Sequence, residues 1–412
     1  MNKPHPFSFL QPVEALGPHL RELHAALREN DRFLGLEEDE AQGRATVRRL
    51  ATFSRSRDGT WEVKRFYISY QATGRRSATG YRGYTFLYDP RRGGLQECPF
   101  PADPKLGSAG HVLSRLEAAG RVDVLRYVPL RRLTLRGHRD PPHGPAIIVK
   151  VVERGATAGI AWRLSAVERA AGGASFGVAG LLIHDEAGAT VVQACLPGQP
   201  LVAAITPQNL ETTLRRLGAL HAEIHELAVP ERACGEAQDP LPTVLDRLDW
   251  LGWVRPGRAD WFQAVRVALE GGIPPGAPDR RVFCHGDFRC TQILADGDRW
   301  SVIDFDGAGY ADLCQDVGRF LAFLKYDVPL VRETAGQESP GGRALLQRAE
   351  AAYLEGYAGR ARREPDPRAL HWHRVCQEVL HLAQRVRRDL ANEEEFGRAC
   401  GGLEALVRQL NG

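Results

Sequence analysis

The chain has 412 residues and a formal net charge of +3, since 54 basic residues are balanced by 51 acidic ones. Hydrophobic residues account for 43% and charged residues for 25%, which is ordinary for a globular protein with more than one core. The charge balance argues against a nucleic-acid partner, and no apolar run approaches the ~18 residues that a membrane helix needs. We therefore expect a cytoplasmic protein that binds neither nucleic acid nor membrane.

The eight cysteines are scattered, without the close pairs that mark a disulfide framework or a zinc site. We expect reduced thiols, because a chain of this size does not need disulfides to hold a core. The sequence HWH at 371–373 lacks a neighbouring cysteine or carboxylate pair, so no metal site is expected there. The oligomeric state is not readable from the sequence.

Residues 1–105 are predicted to form a small α+β accessory domain. Leu20, Leu23 and Leu27 recur at helical intervals, which indicates a helix. The stretches WEVKRFYISYQ and YRGYTFLYD are rich in the aromatic and β-branched residues that favour strands, and residues 90–94 predict a turn. The proline-rich stretch PFPADPKLG at 99–107 then predicts a linker.

Residues 106–196 are predicted to form a five-stranded antiparallel sheet with one helix packed on it. Three strand-like runs come first, namely VDVLRYVPL, RRLTLRG and AIIVKVV. The helical stretch IAWRLSAVERAAGG follows, and LLIHDEAGATVVQACL is typical of two strands around a turn at 185–189.

Residues 197–412 are predicted to be mainly helical. The stretch TLRRLGALHAEIHEL has an apolar stripe at Leu214, Leu217, Leu220 and Ile224. An acidic hairpin interrupts the helices, with the apolar runs RVFC, QILA and WSVI and the turn DGDR. The fold class is therefore α+β, with a strand-rich part followed by a helix-rich part.

The acidic hairpin brings two aspartates, Asp287 and Asp304, to the same end of its strands. Gly286 lets the backbone turn tightly before Asp287, and Gln292 adds a side-chain oxygen at that end. Carboxylate and amide oxygens suit Mg²⁺, which prefers hard oxygen ligands. Phosphoryl transfer also needs an aspartate that orients the acceptor hydroxyl. The sequence thus predicts a site for Mg²⁺ and a phosphate-bearing nucleotide.

A lysine in an apolar strand is the predicted partner of the phosphates. Lys150 lies in AIIVKVV and is one of only five lysines in the chain. Glu168, in the following helix, is expected to pair with Lys150 and hold it toward phosphate oxygens. The alternatives are an edge-strand lysine that discourages aggregation, and a glutamate on a solvated helix face.

HGDFRCTQIL followed by VIDFD resembles the signature of the aminoglycoside phosphotransferase and choline kinase family. QACLPGQPL, LGALHAEIH and AAYLEGY are also similar to that family. The resemblance covers roughly residues 120–400 and implies a protein-kinase-like bilobal fold. It also implies an ATP- or GTP-dependent kinase that phosphorylates a hydroxyl of a sugar, an aminoglycoside or a similar small molecule.

The resemblance assigns roles to the residues of the hairpin. Asp287 would be the catalytic base and Asp304 the main Mg²⁺ ligand, while His285 would brace the loop. Arg289 would stabilise charge on the transferring phosphoryl group; the alternative is an exposed loop arginine. Asp306 would assist the metal or only bond to the backbone.

The sequence departs from the family pattern at two places. Gln292 stands where the family usually has asparagine, and it offers the same amide oxygen one methylene further out. A glutamine at this position also resembles the maltokinase-like branch, which favours a sugar acceptor. The phosphate loop lacks GxGxxG, so the turn in YVPLRR, with Arg131 or Arg132, would bind phosphates. Gln193 and Leu196 would bound the hinge that pairs with the base through backbone atoms.

Two hypotheses follow from these residues. The first is a small-molecule kinase with ATP and Mg²⁺ as cofactors. The second is a catalytically silent nucleotide-binding or scaffold protein, suggested by Gln292 and the absent glycine loop. Asp312 and Asp316, in ADLCQDVGRF, are interpreted as structural residues at a helix start rather than as metal ligands.

Overall fold

The structure of the protein is a computed structural model that describes most of the chain after residue 94 and parts of the chain before it. The described residues are 26, 42, 45–55, 61–72, 83–88, 95–138, 146–237, 239–276, 278–331, 340–388 and 393–410. The leucines of the first predicted helix and the predicted turn at 90–94 lie outside them.

The N-terminal part contains a four-stranded antiparallel sheet. Its strands are β1 (Ala45–Arg55), β2 (Trp61–Ala72), β3 (Gly83–Tyr88) and β4 (Leu95–Pro99), and they pair in that order. The two predicted strands correspond to β2 and β3.

A second sheet follows, with five antiparallel strands in the order β5-β6-β7-β10-β9. Its strands, with the short strand β8, are β5 (Val122–Val128), β6 (Arg132–Gly137), β7 (Ile147–Val152), β8 (Gly177–Val178), β9 (Leu181–Asp185) and β10 (Thr190–Ala194). The sheet is the one predicted from the sequence.

Each face of the five-stranded sheet is covered by one helix. Helix α1 (Ala109–Ala119), which the sequence analysis missed, packs Leu113 against Leu133 and Val149. Helix α2 (Thr157–Ala170) is the predicted one and covers the other face, which carries Lys150. The predicted linker ended at residue 107, and no element was assigned to the α1 segment, because this helix is short and its apolar stripe is narrow.

The remainder of the chain is mainly helical, as predicted. Its helices are α3 (Leu210–His225), α4 (Glu231–Cys234), α5 (Pro240–Val254), α6 (Ala259–Gly271), α7 (Leu313–Asp327), α8 (Pro340–Ala358), α9 (Pro367–Arg388) and α10 (Glu393–Leu410). Its strands are β11 (Gln199–Pro200), β12 (Arg281–Cys284), β13 (Ile293–Asp296), β14 (Arg299–Val302) and β15 (Gly309–Asp312). The predicted hairpin is β13 and β14, and β12 pairs with β15 beside it.

Among the described residues, the helical part has two large hydrophobic cores and a smaller cluster that includes Val282 and Leu313. One forms around the hairpin and includes Leu217, Phe288, Phe320 and Tyr353 from α3, α7, α8 and the loop after β12. The other lies among α5, α6, α9 and α10, with Trp250 at its centre. Burying side chains of this size contributes about 1.5–3 kcal/mol each.

The N-terminal sheet packs onto the second helical core. Phe86 and Tyr88 of β3 are 1% and 2% exposed and belong to the same cluster as Trp250. An ion pair between Arg55 and Asp249, 3.3 Å long, joins the two parts at their edge. The first sheet is thereby attached to helices that come much later in the chain.

All eight cysteines are free thiols, seven of them buried. Burial raises the pKa of Cys284 well above its usual value, so this thiol stays protonated at neutral pH. Within the described part of the chain, no helix is both long and apolar enough to cross a bilayer.

The packing of β3 onto the helices predicts a loss of stability when Phe86 is truncated. Phe86→Ala is expected to lower the free energy of unfolding by about 3–5 kcal/mol, because a cavity would replace a fully buried ring. Urea denaturation measures this difference. Trp162→Ala is the control, since that ring is 61% exposed. Equal effects of the two substitutions would contradict the observed packing.

Candidate active site

A sharp turn after β12 presents Asp287 to the cleft. Gly286 has a φ of +79°, and a Cβ at this position would lie 2.3 Å from the carbonyl oxygen of Gly307. Both the left-handed backbone and the close approach of the second loop exclude larger residues. The glycine therefore allows the loops that carry Asp287 and Asp304 to pack directly against each other.

The turn is held by a buried carboxylate on α7. Asp316 is 1% exposed and accepts hydrogen bonds from the amides of His285 at 2.7 Å and Gly286 at 3.1 Å. Asp312 caps the start of α7 by accepting from the Cys314 amide at 2.9 Å, as expected of a helix-start residue. Asp316 does more than the sequence analysis assigned to it, because it fixes the loop before Asp287.

Two histidines of α3 stabilise Asp316 in its ionised form. His221 Nε2 lies 3.2 Å from Asp316, and its Nδ1 bonds to the hydroxyl of Tyr353. His225 bonds to Tyr357 at 2.7 Å and lies 3.6 Å from Asp316. Burial alone would raise the pKa of Asp316, but its contacts with the two histidines hold that pKa well below its usual range.

His221 is neutral at physiological pH. Burial, followed by the neighbouring charge of His225, lowers the pKa of His221 to about 3. Within the described residues, His221, His225 and Asp316 form the one group of at least three histidine, cysteine or carboxylate side chains close enough to share a metal ion. Both oxygens of Asp316 already accept the amides of His285 and Gly286, which gives the group a structural role.

Close packing of α3 against α8 brings the tyrosines to the histidines. A Cβ at Gly356 would lie 1.8 Å from the carbonyl oxygen of Arg215, and a Cβ at Gly218 would lie 2.0 Å from that of Tyr353. Both glycines are therefore needed for the two backbones to approach this closely. The stretches LGALHAEIH of α3 and AAYLEGY of α8 pack against each other at this contact.

His285 ties the Asp287 turn to the end of β14. Its Nδ1 accepts a hydrogen bond from the Asp287 amide at 3.2 Å, so its Nε2 carries the proton and donates to the Ile303 carbonyl at 3.0 Å. The ring thus connects the loop of one aspartate to the residue immediately before the other, Asp304.

Asp287 contacts an arginine that the sequence analysis did not select. Arg319 Nη1, on α7, lies 3.1 Å from Asp287 Oδ1, and Gln292 Nε2 lies 3.4 Å from Oδ2. The Asp287 side chain is still 37% exposed, so it is accessible from outside the protein. Arg319 lies one turn after Asp316 on α7, a spacing that would have suggested a shared face.

Arg289 points away from Asp287. Its Nε donates to Asp327 at 2.9 Å, and its guanidinium lies 4.1 Å from the centre of the Phe323 ring. The side chain is paired and partly buried, so it is not the exposed loop arginine of the alternative interpretation, and its role toward the phosphoryl group stays a prediction. The arginine in contact with Asp287 is Arg319.

Lys150 bridges the sheet to the second acidic loop. Its Nζ lies 2.9 Å from Asp304 and 2.6 Å from Asp306, and the side chain is 5% exposed. Arg132, at the start of β6, contacts the same two carboxylates at 3.2 and 3.1 Å. The edge-strand interpretation of Lys150 is wrong, because β7 lies between β6 and β10.

The two cations keep Asp304 ionised. Burial alone would raise its pKa, but the charges of Lys150 and Arg132 lower the pKa well below its usual value. The residue adopts a left-handed conformation with a φ of +70°, which is uncommon for a residue with a side chain. The chain leaves the direction of β14 at this turn, so the Asp304 carboxylate faces Lys150 of the five-stranded sheet.

The expected ion pair between Glu168 and Lys150 does not form. Glu168 is exposed near the end of α2 and accepts a hydrogen bond from the Leu181 amide at 3.3 Å, because β9 lies beside that part of the helix. Arg163 on the same helix instead donates to the Asp306 carbonyl at 3.0 Å. Of the two turn arginines, Arg131 is exposed and Arg132 reaches the acidic loop.

Gln193 and Leu196 lie at the exit from β10. Gln193 pairs with Ile148 across the strands, so its side chain shares the face of the sheet that carries Lys150. It is 5% exposed, and its Oε1 atom has no hydrogen-bond partner within the protein. Leu196 is half-buried in the connection to the helical part.

Comparison with known proteins identifies the family. The model of the phosphotransferase enzyme family matches residues 149–376, more than half of the chain, and spans Lys150, Asp287 and Asp304. The chain belongs to this family. This confirms the predicted resemblance and the predicted enzyme class, a phosphotransferase that acts on hydroxyl groups.

Solved structures of similar fold are aminoglycoside phosphotransferases. A thermostable mutant of APH(4)-Ia, without ligands, has a TM-score of 0.52 at 14% identity, over 73% of this chain and 98% of that one. A putative aminoglycoside phosphotransferase from Ralstonia eutropha JMP134 has a TM-score of 0.51 at 14% identity, over 73% and 98%. A ternary complex of an APH(4)-Ia mutant with ADP and hygromycin B has a TM-score of 0.50 at 14% identity, over 73% and 97%. The predicted α+β, protein-kinase-like fold is thereby confirmed.

The depressed pKa of His221 in this phosphotransferase predicts a pH-dependent stability. The folded protein takes up a proton on His221 only near pH 3, whereas an unfolded histidine does so near ~6.5. Stability should therefore fall as pH decreases from ~6.5, by at most about 1.4 kcal/mol per pH unit from this residue.

Urea denaturation of His221→Gln at about pH 7, 6 and 5 tests this expectation. The variant should lose less stability over this range than the unsubstituted protein, because its side chain does not titrate. His184→Gln removes an exposed imidazole and is the control. An unchanged slope in His221→Gln would contradict the assigned cause.

Proposed function

We propose that this phosphotransferase transfers the γ-phosphoryl group of ATP or GTP to a hydroxyl of a small molecule, in the presence of Mg²⁺. The observation that carries the proposal is the convergence of Lys150 and Arg132 on Asp304 and Asp306, close to the loop of Asp287. Two cations and two carboxylates suit a nucleotide that brings anionic phosphates together with a metal ion.

The carboxylates fit a hard divalent cation. Asp304 and Asp306 would hold Mg²⁺, with the amide oxygen of Gln292 as a further ligand, since Mg²⁺ favours oxygen donors. A bound Mg²⁺ would neutralise charge on the phosphate oxygens. Lys150 and Arg132, which contact the two aspartates, are placed to bind those oxygens as well.

Asp287 is the proposed catalytic base. Its carboxylate would accept the proton of the acceptor hydroxyl while the acceptor oxygen bonds to the γ-phosphorus and the bond to the bridging oxygen breaks. Arg319 and Gln292 hold the carboxylate from two sides, which restricts its rotation. His285 and Asp316 position the loop.

The remaining assignments rest on the same arrangement. Gln193 and Leu196 would flank the nucleobase at the exit of β10, and Arg131 would lie at the mouth of the phosphate site. The domain boundaries proposed are 1–105, 106–196 and 197–412. The glutamine at 292 favours a sugar acceptor over an aminoglycoside.

A catalytically silent scaffold is the competing proposal. Silent relatives of kinases lose the base, the lysine or the metal ligand, and here Asp287, Lys150 and Asp304 are all in place. Gln292 lies beside Asp287 without blocking it, since 37% of the aspartate side chain is exposed. These observations favour an active enzyme.

Release of ADP from Mg-ATP, measured across sugars, aminoglycosides, amino alcohols and nucleosides, tests the proposal. At least one acceptor should stimulate release, and Asp287→Asn should lower kcat by about 10²–10⁴-fold because it removes the proton acceptor. Asp304→Asn should abolish turnover. Asp296→Asn, an exposed aspartate of the same hairpin, is the matched control. Full activity of Asp287→Asn would refute the assignment, and nucleotide binding without any turnover would favour the scaffold.

The two arginines near Asp287 should differ in their effects. Arg319→Ala should lower kcat by roughly 10-fold or more with little loss of stability, because Arg319 contacts the base and is partly exposed. Arg289→Ala should lower the free energy of unfolding by about 3–5 kcal/mol, because it leaves buried Asp327 without its partner. Steady-state kinetics and urea denaturation measure kcat and the free energy of unfolding of both variants. A larger loss of kcat in Arg289→Ala than in Arg319→Ala would support a role of Arg289 toward the phosphoryl group.

A further inference from the structure

A buried aspartate before the five-stranded sheet connects the linker to the turn between β5 and β6. Asp103 is 5% exposed. Its Oδ1 accepts hydrogen bonds from the amides of Lys105 at 2.8 Å and Leu106 at 3.2 Å. Its Oδ2 accepts from the Tyr127 hydroxyl and the Leu130 amide, both at 2.8 Å. One carboxylate thus holds the linker and the turn together.

The turn needs an external support because its backbone is strained. Leu130 has a φ of +63°, a left-handed conformation that costs a residue with a side chain roughly 1–2 kcal/mol. The hydrogen bond from its amide to Asp103 stabilises this conformation. Arg132 follows two residues later and contacts Asp304 and Asp306. The position of the turn therefore determines where the Arg132 backbone lies, and with it how the side chain approaches Asp304 and Asp306.

The other end of the linker is attached to the helical part. The linker follows β4, whose neighbour β3 packs Phe86 and Tyr88 into the core around Trp250. Asp103 binds the turn of the five-stranded sheet on its other side. The N-terminal sheet and its linker therefore join the two parts between which the nucleotide is proposed to bind.

We propose that Asp103 is a positioning residue for the nucleotide, and that through it the N-terminal sheet sets the turn that covers the phosphates. The inference rests on the proposed function, since the turn acts on phosphates only if a nucleotide binds there. Asp103 itself touches neither the aspartates nor the base. It acts through Leu130 and, two residues further along, Arg132.

A buried aspartate within the five-stranded sheet, Asp123, is the control that separates a positioning role of Asp103 from a merely structural one. Asp123 of β5 is 6% exposed and bonds to Arg121 at 3.1 Å and His138 at 2.8 Å. It lies at the opposite end of β5 from the turn. Asp123→Asn therefore disturbs the sheet by a comparable loss of buried hydrogen bonding without touching the turn.

The experiment compares Asp103→Asn and Asp123→Asn in the full chain. In either orientation of its amide, an asparagine at 103 sets an NH₂ group against two hydrogen-bond donors, so it no longer holds both the linker and the turn. The KM for Mg-ATP should rise about 10-fold in Asp103→Asn, the equivalent of about one lost buried hydrogen bond. Its acceptor KM should stay within about 2-fold, and Asp123→Asn should leave both KM values within about 2-fold.

Fluorescent ADP analogues give a second readout that does not depend on turnover. Their Kd with Mg²⁺ should weaken in Asp103→Asn and not in Asp123→Asn. Equal Kd and KM changes in the two variants, or none in Asp103→Asn, would overturn the inference. If the unsubstituted protein binds no nucleotide, the proposed function fails, and the inference fails with it.

A milder variant covers the case in which Asp103→Asn does not fold. Tyr127→Phe removes one hydroxyl and leaves the carboxylate bonded to the Leu130 amide. The KM for Mg-ATP should rise by roughly 3-fold, with the acceptor KM unchanged. A Tyr127→Phe enzyme with the nucleotide KM of the unsubstituted protein would also overturn the inference.

Discussion

The hydrogen bonds between buried Asp316 and the amides of His285 and Gly286 are the contact on which the active-site geometry depends. They fix the turn that presents Asp287. A carboxylate buried this deeply needs compensating partners, and His221 of helix α3 is one of them. Because α3, α7 and α8 all meet at this carboxylate, the packing of the helical core determines the position of a loop at its surface.

A balance of charge governs the other half of the site. Lys150 and Arg132 together neutralise Asp304 and Asp306. An anionic nucleotide that bound alone would pair with the two cations and leave the two carboxylates unpaired. A metal ion that bound alone would pair with the carboxylates and leave the cations unpaired. Leaving a buried charge without its partner is costly, so nucleotide and metal are best accommodated together. The arrangement therefore favours the complex over either component.

The fold was largely predictable, because alternating strands and an amphipathic helix have distinct periodicities. The places of Asp287 and Asp304 were predictable because both residues follow apolar runs. The pairings of long side chains were not predictable. Glu168 was assigned to Lys150, which it does not contact, and the pairing of Arg289 with Asp327 was not foreseen, since a flexible side chain has several possible neighbours that only the folded chain defines. Arg319 and Asp316 lie one turn apart on α7, and their contacts depend on how that helix packs, which no local pattern encodes.

The docking of β3 onto the helices also constrains how the chain folds. Phe86 and Tyr88 belong to a core whose other buried members lie between residues 244 and 407, and those residues do not exist when the N-terminal sheet is first synthesised. At synthesis rates of about 5–20 residues per second, Tyr88 precedes Trp250 by roughly 10–30 s. Contacts of such long range also slow folding, because loop closure must precede them. Until its last helices are complete, the first sheet lacks the core in which Phe86 and Tyr88 are buried, which makes the nascent chain a candidate for aggregation or for chaperone binding.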